Sequence, residues 1–157
     1  MIQEGFKPVS NIPPDTLLNK LEFQARLILD FQMNTVYRHL QEFLPKMYGK
    51  VVDIGCGQSP YKHLINSQKA QYYGLDIEDA NQKFDYKNPQ IIRFDGQNIP
   101  LEDSSMDGFI CTEVLEHIQE PNKFITEIYR ILKVGGVGIV TVPWSARYHY
   151  IPYDYYR

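Results

Sequence analysis

Asp53, Gly55, Cys56 and Gly57 close an apolar run, Val51-Val52-Asp53-Ile54, that has the bulk of a buried strand. A strand that turns on glycine lets a ligand lie directly against backbone. The carboxylate two residues before the first glycine selects the ligand, since it repels a pyrophosphate and attracts a cation. Three more acids, Asp76, Asp95 and Glu113, stand at or just beyond the ends of other strand-like runs. In a doubly wound sheet such ends form one rim, where ligands bind. Asp76 follows Gly55 by 21 residues, near the spacing at which an acid hydrogen-bonds a ribose diol. The dinucleotide fingerprint is incomplete, because Pro60 occupies its third glycine position, and no phosphate loop of the Gly-x-x-x-x-Gly-Lys type is present.

The elements that must position these residues follow from periodicity. Residues 1–14 are polar and proline-interrupted and read as an arm. Asp15 is a plausible N-cap after Pro13-Pro14, and Leu17, Leu21, Ala25, Ile28, Leu29, Val36, Leu40, Phe43 and Leu44 keep a helical spacing. They predict one long helix, or two nearly collinear ones, that ends near Pro45 and covers the sheet. Strands are expected at about 50–55, 71–76, 91–95, 108–112 and 137–142. Helices are expected near 60–67 and from Pro121 to Lys133, with Gly135-Gly136 ending the last. This alternation predicts an α/β fold, a doubly wound, mostly parallel sheet with helices on both faces.

Composition sets the outer bounds. The chain of 157 residues has 43% hydrophobic and 22% charged residues, ordinary for a globular protein, and a net charge of −3 that argues against nucleic acid as partner. No run approaches a membrane span, and the first residues, Met1 to Pro8, hold no apolar stretch like a signal peptide. Two cysteines, Cys56 and Cys111, cannot build a disulfide framework, which favours a reducing, cytoplasmic setting.

Several segments together resemble the class I S-adenosylmethionine-dependent methyltransferases, in the small-molecule-type branch known as type 11. They are residues 51–57 and 71–76, then Phe94-Asp95-Gly96-Gln97-Asn98-Ile99-Pro100-Leu101 and Asp107-Gly108-Phe109. Glu113-Val114-Leu115-Glu116-His117 and Tyr129 through Gly136 complete the series, over roughly residues 47–143. The resemblance implies a Rossmann-like domain over 47–157, after an N-terminal arm and covering helix over 1–46, with strands six and seven missing at the C-terminus. It implies S-adenosyl-L-methionine as cofactor, a cation with an ammonium and a sulfonium. Asp53, Gly55, Cys56 and Gly57 would face its methionine end, with Cys56 a small residue in a crowded corner. Asp76 would hold the ribose hydroxyls, Ile77 would pack on the adenine, Asp95 and Gly96 would lie at the adenine edge, and Glu113 would stand beside the cofactor. The family often has a glycine where this chain has Ser59 and a proline where it has Val134.

The implied activity is methyl transfer to a small-molecule or cell-envelope precursor acceptor. The alternative is a cofactor-binding but inactive module that serves as a partner or regulatory subunit. Transfer from a sulfonium needs alignment more than proton chemistry, so no catalytic residue is assigned, although His117, His149 and the tail tyrosines are candidates for a base. Glu113, Glu116 and His117 would share one face of a helical turn. That pattern resembles the metal-binding element of small-RNA 2′-O-methyltransferases, but it is also ordinary in metal-free relatives, and no metal is expected. The chain ends fifteen residues after Val142. Strand five is therefore expected as an uncovered edge, pointing to a fragment, a truncated gene product or a homo-oligomer that covers it.

Overall fold

In the computed structural model, which describes residues 12–77, 91–143 and 155–156, Asp30 divides the N-terminal helical stretch in two. Helix α1 (Leu17–Leu29) is capped by Thr16, not Asp15, whose hydroxyl accepts the Asn19 N–H at 3.1 Å. Asp30 ends α1 by donating its N–H to the Arg26 carbonyl and starts α2 (Phe31–Phe43) by accepting the Met33 N–H at 2.9 Å. One residue therefore serves as C-cap and N-cap, which sets the bend between the helices.

The face of α1 that packs inward differs from the expected one. Phe23 and Leu27 are buried with Met33, Val36 and Leu40 of α2 and with Val51 and Ile110 of the sheet. The Phe23 ring stands edge-on to Tyr37 at 5.1 Å and to His63 at 5.8 Å between centroids. Leu17, Leu21, Ala25, Ile28 and Leu29, predicted to cover the sheet, are exposed instead. The helix carries apolar side chains on two arcs, and the aromatic one won the core because it buries more surface per residue.

Five parallel strands, β1 (Gly49–Ile54), β2 (Ala70–Ile77), β3 (Ile92–Phe94), β4 (Met106–Thr112) and β5 (Leu132–Thr141), form one sheet in the order β3-β2-β1-β4-β5. The order reverses between β1 and β4, so a crevice is expected at their carboxyl ends. Alternate residues serve opposite faces: Val51 joins the core under α1 and α2, whereas Val52 and Ile54 join a second core under α3 (Pro121–Ile131). Phe124, Ile128 and Ile131 of α3 fill that second core with Leu75 and Cys111.

Two boundaries moved. The helix expected near 60–67 is a single 3-10 turn, Lys62–Leu64. The last helix stops at Ile131 and runs into β5 at Leu132 with no loop, while Gly135 (φ +81°) sits inside the strand. The β4–β5 register passes from Met106↔Leu132 to Gly108↔Val137, so the glycine pair absorbs a bulge rather than a helix end. Among the described residues β3 and β5 are the two edge strands, and β5 has Val137 and Val140 exposed. No helix among the described residues is long and apolar enough to cross a membrane.

Arg130 of α3 holds the segment that follows β3. Its guanidinium donates to the carbonyls of Ile99 (2.8 Å) and Leu101 (2.9 Å), and to the carboxylates of Asp103 (2.6 Å) and Glu127 (2.8 Å). Glu127 in turn accepts the Ile99 N–H at 3.0 Å. Replacing Arg130 by alanine is expected to lower stability by about 2 kcal/mol, since it leaves two carbonyls and a partly buried carboxylate without their charged donor. Chemical denaturation checks the midpoint, and amide exchange over residues 96–101 should rise more than over β1.

Candidate functional site

The chain leaves β1 through Gly55, at φ +72°, where the N–H groups of Gly55 and Cys56 both donate to the Leu75 carbonyl, at 2.8 and 3.1 Å. A Cβ on Gly55 would lie 2.4 Å from Val114 Cγ2, so both the left-handed backbone and the packing demand glycine. Gly57 then donates its N–H to Asp76 Oδ2 at 2.8 Å, and Asp76 Oδ1 accepts the Ile77 N–H at 2.8 Å. The glycine corner is thus stitched to the carboxyl end of β2 through one buried carboxylate. Ser59, at φ +58°, adopts the left-handed backbone region that favours glycine.

Asp53 is buried at 2% exposure, and Tyr72 donates its hydroxyl to Asp53 Oδ2 at 2.6 Å. Tyr72 was not foreseen. It pairs with Val51 in the parallel register, and it shares with Asp53 the face of the sheet under α1 and α2. Period-two alternation along β2 puts Tyr72, Gly74 and Asp76 on one face, a signal present in the sequence. Burial pushes the Asp53 carboxyl up to about 7; the Tyr72 hydrogen bond opposes that rise and the Asp76 charge adds to it. Asp76 is also raised by burial, against the pull of the Gly57 and Ile77 N–H groups and of Arg93. Cys56 and Cys111 are free buried thiols whose pKa burial raises.

Ile77, Asp95 and Gly96 meet around a neighbouring cavity of about 410 Å³, together with Phe94, Ile118 and Tyr155. Asp95 accepts three bonds of 2.7 Å from the Gln97 and Asn98 N–H groups and the Asn98 amide, with Asn98 the main cause of a carboxyl held down to about 2. Asp95 therefore builds the turn that places Gly96 (φ +82°) opposite Ile77. Apolar Ile77, Phe94 and Ile118 share the lining with polar Asp95, Gln97 and His117, a mixture that can both pack against a ring and hydrogen-bond its edge.

Glu113 does not line this cavity and sits in the left-handed region at φ +55°. Its carboxylate accepts the Thr141 hydroxyl at 2.7 Å and the Gln32 side-chain amide, and its N–H donates to the Thr141 carbonyl at 3.1 Å. It bridges α2 and the end of β5. The expected shared face of Glu113, Glu116 and His117 does not form, because the helical turn contains only Leu115–His117 and Glu113 turns away to its left-handed conformation. Among the described residues no group of three His, Cys, Asp or Glu side chains is arranged to hold a metal ion. Of the tail, Tyr155 donates its N–H to the Glu116 carbonyl at 2.8 Å; His149, Tyr148, Tyr150 and Tyr153 lie outside the described residues.

The donor set matches a cation that carries a diol and a flat ring. Two buried carboxylates, Asp53 and Asp76, flank the glycine corner, and the Gly96–Ile77 cavity lies alongside. The sheet order and the position of the corner define the Rossmann-like class of S-adenosylmethionine-dependent methyltransferases. The methyltransferase domain family matches residues 52–140, and the chain belongs to that family, whose cofactor is S-adenosyl-L-methionine.

The chain is 30% identical over 96 residues to a Mycolicibacterium smegmatis protein named "Probable S-adenosylmethionine-dependent methyltransferase", a match covering 59% of this chain and 37% of that one. The chain thus spans well under half the length of this curated relative. Among solved structures, a Pyrococcus horikoshii protein superposes with a TM-score of 0.59 at 27% identity, covering 87% of this chain and 66% of that one. A methyltransferase in complex with the Haloferax volcanii Trm112 methyltransferase activator superposes with a TM-score of 0.55 at 25% identity, covering 77% and 58%.

Proposed function

We propose that the chain binds S-adenosylmethionine along the rim formed by Asp53, Gly55, Cys56, Gly57, Asp76, Ile77, Asp95 and Gly96, and that it transfers the methyl group to a small-molecule or cell-envelope precursor acceptor. The observation that carries this reading is the bond from the Gly57 N–H to Asp76, which joins the glycine corner to a buried acid at the end of β2. When bound, the cofactor supplies a methyl group already activated on a sulfonium. The protein has to hold, align and exclude water. Asp53 supplies negative charge near the corner, Asp76 offers acceptor lone pairs to a diol, and Ile77 with Gly96 receives the ring. Glu113 borders the cofactor from the α2 side, with its carboxylate committed to Gln32 and Thr141. Free, buried cysteines accord with a reducing, cytoplasmic compartment.

Calorimetric titration with S-adenosylhomocysteine tests the reading, with NAD as control. Saturable binding of the first and none of the second is the expected result; a folded chain that binds neither, or that prefers NAD, overturns it.

A second reading is favoured by the exposed outer strand and by the activator-bound neighbour. Here the chain binds cofactor and serves as a partner or regulatory subunit without turnover. Methyl transfer from labelled cofactor by the chain alone would exclude it, and transfer that requires a second protein would favour it.

A further inference from the structure

The geometry points to a second copy of this chain as the occupant of the exposed face of α1, packed antiparallel about a two-fold axis, and this proposal does not depend on the methyltransferase reading. At about 100° per residue, Leu17, Ile28, Leu21, Ala25, Leu18 and Leu29 fall within an arc of about 120°, opposite the buried Phe23 and Leu27. Phe31, 88% exposed at the start of α2, extends the stripe past the bend.

The exposed area decides that this is no ordinary surface. Leu17, Leu18, Leu21, Ile28, Leu29 and Phe31 are each at least 61% exposed. At ~100 Å² apiece they present on the order of 600 Å², at the top of the ~300–600 Å² range of the largest apolar patch on a typical monomer. It supplies most of the ~800 Å² per partner that a standard stable interface buries.

The spacing decides the occupant. Leu18, Leu21, Ala25 and Ile28 repeat at intervals of three, four and three, the seam by which one helix packs against another. An antiparallel two-fold arrangement puts Leu18 of one copy opposite Ile28 of the other, Leu21 opposite Ala25, and Leu17 opposite Leu29. Large residues then meet small ones or fill the ends. A parallel pairing would set Ala25 against Ala25 and leave a void. A lipid surface is the weaker match, since Lys20 and Arg26 are outnumbered along this stretch by Asp15, Glu22 and Asp30 and leave no cationic excess for anionic headgroups. Phe31 directly precedes Gln32, whose side chain meets Glu113, so pairing through α1 also fixes the helix that borders the glycine corner.

Sedimentation equilibrium over a micromolar concentration range tests the proposal on the chain as it stands. The expected result is a dimer whose dissociation constant rises at least ~10-fold in Leu21→Lys and in Ile28→Lys. Both positions are exposed, and unchanged circular dichroism shows that the variants fold. Orientation is read by mixing Leu21→Cys with Ala25→Cys and adding a short thiol crosslinker. Mixed pairs should exceed like pairs several-fold, and the native cysteines, both buried, do not compete. A monomer at all concentrations, a dimer indifferent to both lysine variants, like pairs in excess, or flotation on phosphatidylcholine vesicles that the same variants abolish would each overturn it.

Discussion

Asp76→Ala lowers the affinity for S-adenosylhomocysteine by about 100-fold or more, the largest single-residue effect expected at the rim. The carboxylate does two things at once. Toward the protein it accepts the Gly57 and Ile77 N–H groups and so fixes where the corner lies relative to β2. In the binding mode proposed above, its remaining lone pairs would accept from a diol. Hydrogen bonds to a charged group contribute ~1.5–3 kcal/mol each, and losing two bonds to a ribose costs ~3 kcal/mol or more, hence the hundredfold. Asp76→Asn separates the parts, because an amide oxygen still accepts from Gly57 while the charge is gone. Calorimetry should place Asn between wild type and Ala. Equal affinity in all three proteins would remove Asp76 from the site.

Asp53 yields the second large effect, through pH. Its carboxyl is raised from an ordinary value near 3.8 to about 7 in the folded chain, chiefly by burial. The folded state therefore binds the proton more tightly than the unfolded state. The stability this proton confers is fully present below the unfolded pKa near 4, and it is lost as pH rises through about 7. In denaturation experiments without ligand, stability should fall by a few kcal/mol between pH 4 and pH 8, and Asp53→Asn should flatten that slope. A cationic ligand acts in the opposite sense, because it stabilises the ionised carboxylate. Binding near pH 6 should therefore release a proton. Calorimetry in buffers of different ionisation enthalpy reads this release directly, and Asp53→Asn should abolish it. A wild-type binding enthalpy that is independent of buffer would refute the coupling.

What could be read in advance was local and periodic. The end of β1 at Asp53 and Ile54, the acid 21 residues past Gly55 and the five strands all announce themselves through short apolar runs and turn residues. What could not be read depended on contacts between distant residues. Tyr72 reaches Asp53 only because β1 and β2 align Val51 with Tyr72, and register between parallel strands is not written in either strand alone. Helix α1 has two apolar arcs, and periodicity does not say which will face a core edged by Tyr37, with the His63 ring against Phe23. The position of Glu113 after β4 is legible in the sequence, but its partners Gln32 and Thr141 lie 81 residues before it and 28 after it, beyond the reach of any local pattern. The helix-to-strand passage at Leu132 went unforeseen because Gly135-Gly136 has the form of a helix stop and serves as a strand bulge.

The Gln32–Glu113–Thr141 bridge also bears on how the molecule is assembled. It joins residues 81 apart in the chain, and it holds a non-glycine residue in a left-handed backbone that costs of order 1 kcal/mol by itself. Neither the closure entropy nor the strain can be offset until α2, β4 and β5 are already in place. The bridge therefore belongs to the late side of the folding barrier. Its loss is therefore expected to speed opening modestly and leave the rate of formation unchanged.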